Sequence, residues 1–378
     1  VAIVLLLIKR DWNGDFQLST SRVPVNELRP GERVQSIYLL DDFQLRPRKD
    51  GGNFMTLVLR DATGKVTGVM WDNFLPLTNG TVKPNDYVQV LGDVLVHQNQ
   101  MQIRVAKLEK VADSDVSPSD FLPVSPIPIE QLEKDFWQLV DTIKDEELNK
   151  LVRSIFEIPR FWKKFRQAPS AVSMHQAYLG GLIEHTVGVT RNALKIAKNY
   201  PSANVDIILA GALLHDIGKT VEFSFDKKIA YTDMGRLIGH IPIGFAMIEF
   251  QAARLQNLSP NKKALVQHIV LSHHGYLEFG SPKQPHTVEA LIVHHADQLD
   301  AQLSNCLEQS RNMTSSAKWE YRPMFERYMF AGSLDDLEAV ELLHELGYSL
   351  GGYCTKKKTG TEEENASDLL NGLLPPEA

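Results

Sequence analysis

The hydrophobic period of this chain changes class at a proline-rich segment, so no single type of secondary structure can serve both sides of it. Residues 31–112 alternate every second position, with Val34, Ser36, Tyr38 and Leu40 set against Gln35, Ile37 and Leu39. Gly51-Gly52, Asp61 to Gly64 and Asn79-Gly80 supply the turns between five strand-like runs at 33–41, 53–60, 65–71, 86–97 and 100–111. Residues 113–129 lose this period, carry Pro118, Pro123, Pro126 and Pro128, and are expected to form an inter-domain linker. Beyond it the spacing is helical: Leu132, Phe136, Leu139, Val140 and Ile143 fall on one stripe, and Leu148, Leu151, Val152 and Ile155 on the next. Helices are expected across residues 130–350.

The strand count and spacing of residues 31–112 are those of an OB-fold barrel, which makes the fold class multi-domain: an N-terminal all-β barrel, then an all-α bundle. Residues 1–30 are expected to be a leader segment. Its apolar run, Val1 to Ile8, is too short to span a bilayer, and Lys9 and Arg10 follow the run where a secretory signal would carry them in front. Residues 351–378, with Glu362 to Glu364 and two late prolines, are expected to be a disordered acidic tail. Only Cys306 and Cys354 occur, which points to a reducing, cytoplasmic setting with no membrane association. The formal net charge of −7 does not exclude a polyanionic ligand. Residues 335–378 hold ten acids and three bases, and the remaining body carries 37 of each.

Histidine is the chemical anomaly. Ten of twelve lie between His175 and His295, within the helical region. His215-Asp216 follows the nearly all-apolar stretch Ile207 to Leu214, and a charged pair ending a buried helix is costly unless paired or metal-bound. Imidazole and carboxylate suit Zn, Mn, Fe or Co, so His185, His215, Asp216 and Asp297 can close one site. A second ion would draw on His240 with His273 or His274, Asp216 bridging the two. Two ions about 3.5–4 Å apart around a bridging carboxylate form a phosphoryl-transfer device. Any one of these histidines alone is more often a hydrogen-bonded core residue. The ordered set is what points to metal, and His268, His294 and His295 are assigned to packing or surface. Lys219, one turn beyond His215, is a candidate to set its ammonium on a phosphate oxygen. Its competing role is a helix C-terminal cation facing the macrodipole.

The ordered elements Glu184-His185-Thr186, His215 to Lys219, Leu237 to His240, Ser272 to Gly275 and Ala296-Asp297 resemble the HD-domain metal phosphohydrolase superfamily. The stretches Ala177 to His185, Glu278 to Pro282 and Glu289-Ala290, behind a β-domain, resemble the YhaM-type 3′-5′ exoribonucleases. The resemblance implies an HD bundle that removes nucleotides from the 3′ ends of single-stranded RNA, and allows single-stranded DNA and a homo-oligomer. It also implies two divalent ions, manganese first, with cobalt, iron or zinc as alternatives. His185, His215, Asp216 and Asp297 match the core ligands, and His240 with His273 or His274 the extended ones. Asp216 and Lys219 fall in catalytic positions. Gln176 stands where a second histidine beside His175 is expected.

For nucleic acid, Phe54 and Trp71 with Arg60, Lys65, Arg46, Arg48 and Lys49 offer aromatic faces and cations of the kind that hold single strands. The two rings would equally well fill the barrel. From Lys150 to Arg166 six bases, among them Lys163, Lys164 and Arg166, meet one acid, Glu157, and form a candidate funnel toward the metals or a merely solvated face. Two rival functions remain at this point: an HD phosphohydrolase of free nucleotides or cyclic dinucleotides, and a non-catalytic RNA-binding protein with a structural HD bundle.

Overall fold

The computed structural model describes residues 22–172, 176–311, 319–322 and 325–330. The early leader, His175 and the tail expected at 351–378 lie outside the described residues. Strands β1 (Arg33–Pro47), β2 (Asn53–Asp61), β3 (Gly64–Met70), β4 (Tyr87–His97) and β5 (Gln100–Lys110) close into a barrel in the order β1-β2-β3-β5-β4. β1 outruns its expected end because it serves two neighbours. Its first half pairs with β4 from Arg33↔Asp93 to Leu39↔Tyr87, and its second half pairs with β2 to Pro47↔Asn53, with an irregularity at Leu40/Asp42 between them. A short parallel pairing of β3 with β5 completes the closure. Alternation places Tyr38, Leu40, Met55, Leu57, Leu59, Val90 and Ile103 inside, all at most 1% exposed. The short helix α1 (Leu75–Thr78) contributes the buried Leu77.

Both expected boundaries of this domain shift. Val23 N–H donates to Ser36 Oγ (2.9 Å) and Val25 N–H to Asp61 Oδ2 (2.8 Å), so the end of the expected leader is already part of the barrel. Residues 113–129 are packed. They form 3₁₀ turns at Asp113–Asp115 and Pro118–Asp120, then bury Phe121, whose ring lies 4.6 Å from that of Tyr87. Ala62 N–H donates to Asp120 O, Leu179 N–H to Pro123 O and Ser125 N–H to Leu179 O. The connector's backbone is thus satisfied from both domains.

The helical part runs α2 (Ile129–Thr142), α3 (Glu146–Phe156), α4 (Pro159–Phe165), α5 (Gly181–Ala197), α6 (Val205–Leu214) and α7 (Lys219–Glu222). A two-rung hairpin, β6 (Phe223–Ser224) with β7 (Ala230–Tyr231), precedes α8 (Asp233–Ile238), α9 (His240–Ala252), α10 (Pro260–Ser272) and α11 (Val288–Arg311). Helix α6 is the axle. Asn204 caps it by accepting from the N–H groups of Asp206 and Ile207, and every residue from Ile207 to Leu214 is buried. It packs on α2, α3, α5, α10 and α11. Each such Leu or Ile contributes roughly 1.5–3 kcal/mol by leaving water. Its C-terminus therefore delivers His215 and Asp216 to the middle of the bundle.

The barrel is docked on the β6–β7 turn. Arg60 donates through Nε to Asp41 (2.8 Å), through Nη1 to Phe121 O (2.8 Å) and through Nη2 to Lys227 O (3.1 Å). Tyr87 donates its hydroxyl to Asp226 O (3.2 Å), and the Lys227 ammonium sits 5.2 Å above the Tyr87 ring and 2.8 Å from Asp113.

Helix was expected through residue 350, but β8 (Trp319–Arg322) and β9 (Arg327–Phe330) form an antiparallel hairpin in a second unit that begins at Asn312. Aromatic residues at alternate positions favour this strand pair, with Trp319 on Phe330 (5.1 Å) and Tyr321 on Tyr328 (5.4 Å).

Candidate metal centre and nucleic-acid face

Seven side chains predicted from the sequence converge on one point. His185 projects from α5, His215 and Asp216 follow α6, His240 opens α9, His273 and His274 follow α10, and Asp297 lies on α11. Asp216 is the hinge of the arrangement. Its Oδ2 lies 3.5 Å from His185 Nε2 and 3.2 Å from His215 Nε2, while its Oδ1 lies 3.4 Å from His240 Nε2 and 3.5 Å from His273 Nε2. Asp297 Oδ1 closes the first group at 3.0 Å from His185 Nε2. Two ligand groups result, His185, His215 and Asp216 in one and Asp216, His240, His273 and His274 in the other.

The tautomers follow from what lies behind each ring. His215 Nδ1 faces Ala212 O (2.7 Å), His273 Nδ1 faces Val270 O (2.8 Å) and His274 Nδ1 faces Phe279 O (2.7 Å). A carbonyl only accepts, so each Nδ1 carries the proton and each Nε2 turns a lone pair inward. Carboxylates do the same work for the other two: Asp300 Oδ2 stands 2.8 Å from His185 Nδ1, and Glu222 Oε2 3.0 Å from His240 Nδ1. Asp216 Oδ1 and the Nε2 atoms of His240 and His273 are buried with no hydrogen-bond partner, and the Lys219 ammonium lies beside Asp216 Oδ2. Three orphaned acceptors aimed at one another are what a divalent cation would satisfy, and the mixed nitrogen and oxygen donors fit the borderline ions.

Electrostatics agrees at each shifted group except His185. Burial alone would raise the Asp216 carboxyl, but Lys219 and His215 overcome it and hold Asp216 well below the carboxylate range. Burial works the same way on Asp297, and His185 overcomes it. Burial would depress His185, yet Asp216, Asp297 and Asp300 hold its imidazolium well above the usual value. Burial pushes His273 down to about 3 and lowers His274 with help from His240. Ionised carboxylates and the neutral imidazoles of His273 and His274 are the protonation states that ligation requires, whereas His185 would release its proton on taking up an ion.

Two glycines make the room. Gly218 is not required for its backbone angle, since its φ is −64°. Its role is close approach, since a Cβ there would stand 2.0 Å from His240 O. At Gly188, inside α5, a Cβ would stand 2.3 Å from Asp300 Oδ1. Any side chain at Gly188 would push away the carboxylate that orients His185.

Lys219 is buried at the start of α7, with Nζ 2.7 Å from Asp216 Oδ2. This position removes the helix C-terminal role. Burial opposes its charge, but Asp216 and Asp297 keep the ammonium protonated, its pKa raised. Lys219, His240, His273, His274 and Asp297 face an open cavity of about 430 Å³.

The nucleic-acid candidates divide. Phe54 and Trp71 lie outside the barrel, stacked at 4.9 Å, with Trp71 44% exposed and the Arg48 guanidinium 4.8 Å above it. Lys65 is exposed and pairs with Asp41 at 2.9 Å. Arg60 is lost to this face, because the joint with Asp41, Phe121 and Lys227 takes up its guanidinium. Lys163 and Lys164 are exposed on α4, which packs against α7, and make no ion pair among the described residues. Arg166 pairs with Glu133, Arg153 with Asp141 and Glu157, and Lys150 with Glu146.

Comparison with known proteins accounts for both domains. Residues 182–302 match the HD domain family, and residues 33–111 match the OB-fold nucleic acid binding domain family. The 3′-5′ exoribonuclease YhaM of Geobacillus sp. (strain WCH70) is 33% identical over 275 residues, 72% of this chain and 84% of that protein. The Bacillus subtilis (strain 168) protein of the same name is 32% identical over 275 residues, 72% of this chain and 86% of its own length. The chain belongs to the YhaM family. A solved OB-fold domain of replication protein A from Methanococcus maripaludis covers 24% of this chain at 25% identity, with a TM-score of 0.21. HD membership implies dependence on divalent metal, and the His/Asp cluster is where this family member would bind it.

Sequence reasoning missed Asp300 and Glu222, which touch no ion position and act through His185 and His240. The signal was present: each lies three residues beyond a chosen residue, Asp297 and Lys219, and so on the same helical face. Gln176, the departure noted beside His175, stands behind the same relay, with Nε2 3.5 Å from Asp300 Oδ2. His294 packs as expected, its Nδ1 2.6 Å from His273 O.

Proposed function

We infer that this chain is a metal-dependent 3′-5′ exoribonuclease, in which the helical domain hydrolyses the terminal phosphodiester of a single strand and the barrel helps to hold that strand. One observation carries the reading. Asp216 turns its two oxygens to two different histidine groups, the pattern of a carboxylate bridging two ions. His185, His215, Asp216 and Asp297 would hold one ion, and Asp216, His240, His273 and His274 the other. Manganese is the proposed metal, with cobalt, iron and zinc accepted by the same donors. When bound, such a pair neutralises phosphate charge and lowers the pKa of water.

The chain's own residues prepare that chemistry. Asp300 and Glu222 fix two rings, and the carbonyls of Ala212, Val270 and Phe279 fix three more. Lys219 neutralises Asp216 and keeps its remaining N–H groups for a phosphate oxygen on the cavity side. Lys163 and Lys164 draw the backbone toward α7, and Phe54, Trp71 and Lys65 contact bases and phosphates further along the strand. The substrate is single-stranded RNA, with single-stranded DNA accepted, and the setting is cytoplasmic. No helix among the described residues is long and apolar enough to cross a membrane.

The test is digestion of 5′-labelled and 3′-labelled single-stranded RNA with Mn²⁺ and with Mg²⁺, alongside elemental analysis of the purified protein. Immediate release of the 3′ label as mononucleotide, with gradual shortening of the 5′-labelled strand, is expected. Internal fragments, or no digestion with any divalent ion, would overturn the reading.

A further inference from the structure

The string Glu278 to Pro282 stood out in the sequence, and the centre explains only half of it. Its backbone and one hydroxyl serve His274: Phe279 O accepts from His274 Nδ1 (2.7 Å), and Ser281 Oγ accepts from His274 N–H (3.1 Å). The Phe279 ring has no such duty. It is 58% exposed and lines the cavity of about 430 Å³ beside the metal ligands. Tyr231, on the β6–β7 hairpin, lines the same cavity and is 44% exposed. Each ring is braced from the side, Phe279 by the edge of Tyr276 (6.0 Å) and Tyr231 by Phe223 (5.2 Å), with the Arg236 guanidinium 5.5 Å from Tyr231.

Exposed, braced aromatics on the walls of a polar cleft cost apolar exposure to water, and burial against a ligand face recovers it. A cavity of this size falls in the range of small-molecule sites, about 300–1,000 Å³, enough for one nucleotide rather than several. We propose that Phe279 and Tyr231 are stacking walls for the nucleobase of the 3′-terminal nucleotide, placed so that its phosphate reaches Lys219 beside the metal ligands. The proposal rests on the exonuclease reading above and adds which residues grip the leaving nucleotide. Every base has a π face, so stacking holds the end without reading its sequence.

The experiment compares release of the first nucleotide from RNA ending in an ordinary nucleotide with release from the same RNA ending in an abasic one. Stacking of one base predicts that KM for the unmodified protein rises about five- to a hundredfold on the abasic end, with kcat little changed because stacking holds ground and transition states alike. Phe279→Ala should raise KM on ordinary RNA and shrink the further rise on the abasic end, and the double variant Phe279→Ala/Tyr231→Ala should abolish that further rise. Tyr231→Ala should behave like Phe279→Ala. Equal KM on both ends for the unmodified protein would overturn the proposal while leaving the exonuclease reading in place, as would a Phe279→Ala loss of the same size on both ends. Failure to release a 3′ nucleotide from either strand would overturn both.

Discussion

The metal centre and the outer face of the barrel use some of the same residue types under opposite constraints. At the centre the carboxylates and imidazoles are buried, and a second group behind each ring fixes its role. On the barrel face Phe54, Trp71 and Lys65 are partly or largely in water, where a cation or ring needs no partner to be tolerated. Burial makes the function of a polar residue legible, because an unexplained buried charge is expensive. Exposure removes that penalty, and with it the information.

The sharpest way to break this contrast is Asp216→Asn, which keeps the shape and removes the bridging charge. Metal-assisted charge stabilisation is worth several kcal/mol, so activity should fall on the order of a thousandfold, with loss of bound metal by elemental analysis. A variant that keeps both metal and turnover would mean the cluster is structural. Asp300→Asn and Glu222→Gln probe the groups behind the rings. Each should weaken metal binding or activity about 10–100-fold, and calorimetric Mn²⁺ titrations unchanged in both would deny them an orienting role. On the barrel, Trp71→Ala should raise KM for long RNA about thirtyfold, at the middle of the range for one lost stacking contact. A dinucleotide substrate should be unaffected, and equal losses on both would move Trp71 from binding to folding.

Replacing Lys163 and Lys164 by Ala should change least at fixed salt and most in salt dependence. Two phosphate contacts at about 0.7 each on a single strand flatten the log–log slope by about 1.4. An unchanged slope in binding to the Asp216→Asn protein would make α4 a solvated face. The joint supplies a pH test. Burial alone would raise the Asp41 carboxyl, but Arg60 and Lys65 overcome it and hold it below the usual value of 3.8. A depressed carboxyl stabilises the fold above its unfolded pKa and loses that contribution as pH falls through the folded one. Thermal melting of Asp41→Asn should therefore lie below that of the unmodified protein at neutral pH and converge with it as pH falls through the depressed carboxyl's own pKa, below the usual 3.8. A gap independent of pH would contradict this.

How much was legible follows the same division. The five strands could be found because a period of two survives in a half-buried sheet, and His215 with Asp216 because an apolar helix ending in His-Asp demands a reason; the other five candidate ligands rested on the run of histidines and the family resemblance. The joint was hidden. Arg60 among cations resembles a phosphate contact, and only the long-range fold shows its three donors already engaged. Prolines in 113–129 announced irregular backbone correctly, but whether such backbone packs depends on where Phe121 and Leu122 find cover. At 319–330 the alternating aromatics were a strand signal inside a stretch read as helical.

The packed connector changes what kind of device this is. Two modules on a slack tether would raise each other's local concentration of substrate by chain statistics, whatever the substrate's length. Bolted together through Arg60, Tyr87 and the turn at Asp226 to Lys228, they behave as a caliper with one setting. A strand long enough to reach from the barrel face to the metal cluster gains from both grips at once. One that has been trimmed below that span keeps only the grip at the centre.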